Sequence, residues 1–144
     1  MIETQISPDL LTGLRERAHS FEAVVMRLDT PNKNGRTYPT DVMVNALAKV
    51  QYPVLGCFMD DLNQGFIPLN HVSHKVLDMR IDGDQVIARI LILPALPHGK
   101  VLQSIYDLTG ADFRTAGQAM VDPNGVVTQF HFLSIGALPK GKGA

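Results

Sequence analysis

Residues 86–93 read Val86-Ile87-Ala88-Arg89-Ile90-Leu91-Ile92-Leu93, an apolar run interrupted by one arginine. The run follows Asp82-Gly83-Asp84, a turn sequence, and an earlier arm over residues 71–81. Two such arms around a Gly-centred turn read as a β-hairpin. A strand that is apolar on nearly both faces has to be covered on both. The chain must therefore build a layered sheet, with residues 85–93 as its expected central strand.

The rest of the sequence supplies the partners. A second hairpin is expected over residues 112–121 and 126–137, around Asp122-Pro123-Asn124-Gly125, with Val126, Phe130 and Phe132 alternating with polar residues. Residues 21–28 and 54–58 read as further strands. Three helices are expected. The first spans residues 7–18, with Ser7 as cap, Pro8 in the first turn and Leu10, Leu11, Leu14 and Ala18 on one face. The second spans residues 40–50, with Val42, Met43, Ala46, Leu47 and Val50 as its apolar stripe. The third spans residues 98–108, with Val101, Leu102, Ile105 and Leu108 inward and Gly110 as C-terminal cap. Residues 60–70 read as a polar loop. The expected fold is α+β: a mostly antiparallel, small barrel-like sheet with two or three flanking helices. The expected division is an N-terminal helical segment over 1–20, a domain over 21–139 and a flexible tail over 140–144.

Composition narrows the chemistry. At 144 residues, with 45% hydrophobic and 19% charged residues, the chain can bury a core without staples. A net charge of -1 gives no basic footprint, so no specific nucleic-acid partner is expected. The single cysteine, Cys57, lies in an apolar run and reads as a small buried hydrophobe. No run resembles a signal peptide or is long enough to span a bilayer, so no membrane role is expected.

Candidate reactive groups are present but unpaired along the sequence. His71 and His74 would point to opposite faces of a strand, so they cannot share a metal. Asp60 and Asp61 read as a solvated pair, and no metal site is expected. The glycine-rich pieces lack the Walker lysine and the Rossmann spacing, so no cofactor is expected. Ser73, Ser104 and Ser134 are candidate nucleophiles, and His71, His74, His98 and His131 are candidate bases. No nucleophile elbow joins them. Ser73 and His74, as strand neighbours, are expected to face apart.

One set of motifs carries a resemblance. Asn34-Gly35-Arg36-Thr37-Tyr38-Pro39 leads into a helix, Leu55-Gly56 follows, then Val72-Ser73-His74, the Asp82-Gly83-Asp84 turn and the apolar strand. That order resembles the phage prohead protease family over residues 23–139. The family consists of serine proteases that mature a viral capsid from within, on a fold like that of the herpesvirus assembly proteases. The resemblance implies where chemistry would sit. The family's catalytic histidine position falls on Asp60, and its serine position on Arg114 or Thr115. Thr115 lacks a matched base, because Asp60 is a poor one at neutral pH. His74 matches a family position and, with Ser73, is the residual catalytic candidate. Asp60 and Thr115 are expected to lie close together.

A protease frame with both catalytic positions changed suggests a non-enzymatic virion protein, capsid-associated as a decoration or head-assembly component. Its expected partners are the major capsid protein or other head proteins, with a homo-oligomer as a further possibility. Its expected place is the virion, and the host cytoplasm during assembly. The alternative is an active, divergent serine or threonine protease that processes capsid and scaffold proteins. A third reading is an inactive subunit paired with an active protease. Phe66, Ile67, Leu69 and Leu96 place apolar side chains in loops and are the expected partner-binding residues.

Overall fold

A computed structural model of the chain describes residues 8–62 and 64–141. Ser7, the expected helix cap, and most of the expected tail lie outside the described residues. The Asp82-Gly83-Asp84 turn passes through Gly83 at φ 60°. It folds strand β3 (His74–Asp82) against β4 (Gln85–Ile92). Strand β1 (Phe21–Arg27) pairs on the other side of β4, and β2 (Val54–Gly56) on the other side of β3. The result is an antiparallel sheet in the order β1-β4-β3-β2. β5 (Ala111–Val121) and β6 (Val127–Pro139) form a separate two-stranded sheet.

These two sheets do not close into a barrel, and the barrel-like expectation is corrected on that point. At one seam β6 meets the chain just after β2 through a single bridge between Phe58 and Ala137, where the Ala137 N–H donates to the Cys57 carbonyl at 3.0 Å. At the other seam β5 lies beside β1 with no ladder. The Arg114 guanidinium donates to the Val24 carbonyl at 3.2 Å instead. A side chain thus occupies the place a backbone ladder would need, and the seam stays open.

The core fills the space between the sheets. β4 points Val86, Ala88, Ile90 and Ile92 into it, where they meet Phe113 and Ile135 from the hairpin. Each of the buried Val, Ile and Phe side chains contributes about 1.5–3 kcal/mol. The outer face of β4 remains half-exposed, so the expected cover on both faces is only partial. Helix α1 (Pro8–His19) buries no residue and reaches the sheet through charged side chains. Arg17 pairs with Asp78 at 2.6 Å, and Glu16 with Lys75. Among the described residues, no helix is long and apolar enough to cross a membrane.

Helix α2 (Thr40–Ala48) buries Met43 and Ala46. Its first turn is capped from a distance: Asp29 accepts from the Thr40 N–H at 3.0 Å and from the Thr40 hydroxyl at 2.6 Å. Residues 59–62 form a short helix α3 (Met59–Leu62), and Leu69–His71 a 3₁₀ turn, inside the stretch expected as a polar loop. Helix α4 (Pro97–Thr109) buries Gly99 and Leu102, while Val101 and Leu108 are 51% and 83% exposed. A Cβ on Gly99 would fall 1.7 Å from the Leu93 carbonyl oxygen. Close approach at this glycine sets the helix phase, and the expected inward Val101 and Leu108 turn to solvent. In β6 the ladder slips opposite Ala116–Gly117 and Met120–Val121. Val127 and Phe130 are buried as a consequence, in place of a strict Val126–Phe130–Phe132 alternation.

The Asn34-Gly35-Arg36 stretch has a structural explanation. Asn32 Oδ1 accepts from the backbone N–H groups of Asn34 and Arg36 at 2.9 and 3.0 Å. The turn so formed touches the tip of the β5–β6 hairpin: Thr37 bridges to Val126, and a Cβ on Gly125 would meet the Gly35 carbonyl at 2.4 Å. Two glycine turns therefore clasp each other at a separation only glycine permits.

Candidate functional site

The open seam between β1 and β5 leads into a cleft of about 710 Å³. Val24 and Arg27 of β1, Asn34 of the clasp, Met59 of α3, and Arg114 and Thr115 of β5 are among its lining residues. Thr115 is partly buried there, opposite Ile135 in the ladder. Asp60 is exposed and follows Met59, which also packs against Gly136. The cleft therefore contains Thr115 and the residue next to Asp60. Among the described residues, no histidine lines it.

The histidine and serine candidates lie elsewhere. Ser73 precedes β3 rather than lying in it: its N–H donates to the Gly56 carbonyl and its carbonyl accepts from Leu93. Strand alternation does not apply to it, and its side chain reaches its neighbour, contrary to the expectation. Ser73 Oγ lies 2.8 Å from His74 Nδ1, and His74 Nε2 lies 2.8 Å from the Ile135 carbonyl. A carbonyl can only accept, so Nε2 carries the proton and Nδ1 accepts from the Ser73 hydroxyl. The hydrogen-bond pattern is that of a nucleophile and base, but the setting is not. Ser73 and His74 are both 0% exposed. The Phe113 ring meets the imidazole at 79° with centroids 5.4 Å apart, and Gly56 lies so close that a Cβ there would fall 2.3 Å from Nε2. Burial pushes the His74 imidazole down to about 4, against a smaller opposing effect of the Ile135 hydrogen bond. It is neutral at ordinary pH and sealed from solvent.

The other candidate hydroxyls bond the backbone. Ser134 donates to Leu55 at 2.7 Å and Ser104 to Lys100 at 3.1 Å. Cys57 is buried, and its thiol is pushed up to about 11 by burial and then by the Asp61 carboxylate. It holds its proton at neutral pH and is no nucleophile.

A third group was not legible in the sequence. Asp61 of α3, His71 at the end of the 3₁₀ turn and His98 at the start of α4 offer one donor atom each, all within 4.8 Å of one another. His71 Nδ1 lies 3.2 Å from Asp61 Oδ1, at an angle that makes no hydrogen bond. The His71 and His98 rings stack at 4.4 Å with 16° between their planes. His71 lies in the 3₁₀ turn and β3 begins only at His74, so strand alternation does not relate the two as expected, and the fold brings His98 to His71 from a different element. No local spacing announces that meeting, since the three residues come from three elements.

The chain superposes on the capsid assembly protease of bacteriophage T4, gp21, with a TM-score of 0.64, over 82% of this chain and 80% of that one. The two chains share a fold. The two sequences are 18% identical over the match, so the kinship lies in the fold. No family sequence model and no curated protein sequence matches the chain.

Proposed function

We propose that this chain is a non-catalytic phage head protein that uses the protease fold to bind capsid components. The observation that carries the reading is the composition of the cleft. It offers the Thr115 hydroxyl but no histidine among the described residues. Proton abstraction from a threonine needs a base within hydrogen-bond reach. The fold kinship with a capsid assembly protease supports a place in head assembly. Phe66, Leu69 and Leu96 are 55%, 76% and 38% exposed, and Ile67 is half-buried. They are the proposed contact residues for the major capsid protein or another head protein.

Mass spectrometry of purified particles tests the role. An intact, stoichiometric chain in mature heads supports it, and absence from mature heads refutes it. One observation favours a divergent protease: the 2.8 Å Ser73–His74 pair in the productive tautomer. That reading requires the core around Phe113 to open. Cleavage of capsid or scaffold protein that vanishes in Ser73→Ala or Thr115→Ala would establish it.

A further inference from the structure

We propose that Asp61, His71 and His98 form a transition-metal site of the zinc type. Three observations converge on it. Each residue presents a donor atom, and the three atoms lie within 4.8 Å of one another. The Nδ1 atoms of His71 and His98 are both buried, and neither has a hydrogen-bond partner among the described residues. The two rings are stacked, and a carboxylate stands beside one of them.

A buried polar atom without a partner is unfavourable by about 1–3 kcal/mol. Two of them side by side, on stacked rings, call for a common partner. Protonating both rings would supply hydrogens but would set two like charges face to face. A divalent cation satisfies both ring nitrogens at once, and the Asp61 carboxylate offsets part of its charge.

The donor set selects the ion. Two imidazoles and one carboxylate suit Zn²⁺ and its neighbours in the first transition row, whereas Mg²⁺ and Ca²⁺ require oxygen donors. Stacked rings aim their in-plane lone pairs side by side, so the rings must turn inward to share one ion at bonds of about 2.0–2.1 Å. His71 is 36% exposed at its side chain and Asp61 23%, which leaves them room to do so. Three protein ligands leave a fourth position for water or a partner's side chain.

The placement gives such a site a structural consequence. Asp61 and His71 bracket the loop that carries Phe66 and Leu69, and His98 follows the linker that carries Leu96. A bound ion would fix the base of both apolar loops to the start of α4. This consequence rests on the surface reading above, but the site itself does not.

The test uses the full chain stripped with a chelator, then titrated with Zn²⁺, Co²⁺ or Mg²⁺ and followed by calorimetry and thermal unfolding. Expected are one equivalent of Zn²⁺ bound, a raised Tm, visible Co²⁺ bands of low coordination number, and no response to Mg²⁺. His98→Ala should weaken Zn²⁺ binding at least tenfold, and His131→Ala should leave it unchanged. If His98→Ala fails to fold by circular dichroism, Asp61→Asn, which keeps the carboxylate's shape, replaces it with the same expected loss. Absence of stoichiometric Zn²⁺ binding, or equal binding by wild type and the folded ligand variants, overturns the assignment. Particle association is measured separately, so loss of capsid binding with Zn²⁺ binding intact would refute the surface reading and leave the site standing.

Discussion

The buried imidazole of His74 makes acid stability a direct measure of whether the Ser73–His74 pair is sealed. In the native chain it protonates at about 4, against 6.5 for the free group. Between those values the unfolded chain binds a proton and the native one does not. Stability from this group is therefore complete above pH 6.5 and is lost as pH falls toward 4. At pH 4.5 the loss comes to about 2–3 kcal/mol, a large share of a typical stability of roughly 5–15 kcal/mol. Other groups also titrate in this window, so the comparison is with His74→Gln, which retains a donor and an acceptor but has no imidazole. Urea unfolding at pH 7 and pH 4.5 should show the wild type losing about 2–3 kcal/mol more than the variant across the interval. Equal losses would refute the reasoning. They would mean that the imidazole takes up its proton at an ordinary pH, and so reaches solvent in the native state as a working base must.

Three other outcomes follow from the packing and the surface. Gly56→Ala should destabilise the fold by about 3 kcal/mol in urea titration, because its Cβ would fall 2.3 Å from His74 Nε2; an unchanged midpoint would show that the ring is free to move. Asp29→Ala should cost about 1 kcal/mol, since it removes both acceptors at the start of α2, with thermal unfolding as the check. The Phe66→Asp, Leu96→Asp double variant should keep its circular dichroism and lose binding to assembled capsids in a sedimentation assay; wild-type binding would remove these loops from the interface.

The legible part of this molecule was what local physics controls. The apolar run at 86–93 and the turn at Gly83 announce the β3–β4 hairpin, and the hairpin ending at Gly125 is equally plain. The α2 stripe found its buried Met43 and Ala46. Features that depend on distant neighbours were not legible. The phase of α4 is set by a glycine against the Leu93 carbonyl, and apolar counting gives glycine no vote. Whether the sheets close is decided at two distant seams, one joined by the Phe58–Ala137 bridge and the other by the Arg114 side chain on Val24. At the site, Ser134, a candidate nucleophile by residue type, bonds the Leu55 carbonyl from within its strand. The Ser73–His74 contact did not follow from strand alternation, because Ser73 is tied to Gly56 and Leu93 just outside the strand. His98 joins Asp61 and His71 only after α4 docks, so its meeting with them belongs to tertiary structure alone.

The long-range bridges of the final hairpin bear on how the chain folds as well as on how it stands. β1 pairs with β4 across several intervening elements, and the clasp at Thr37 and the bridge at Phe58 both wait for β6. Loop closure of this kind precedes the contacts that reward it, and non-local pairing slows folding. During synthesis, the first third of the chain has no native strand partner until much later residues emerge. Its early strands must remain unpaired in the meantime, with β1 exposed to chance association. The β5–β6 hairpin, local in sequence and bridged to the earlier chain at Thr37 and Phe58, is then the piece whose arrival completes the fold. Truncation before β6 should accordingly leave an aggregating chain rather than a smaller native one.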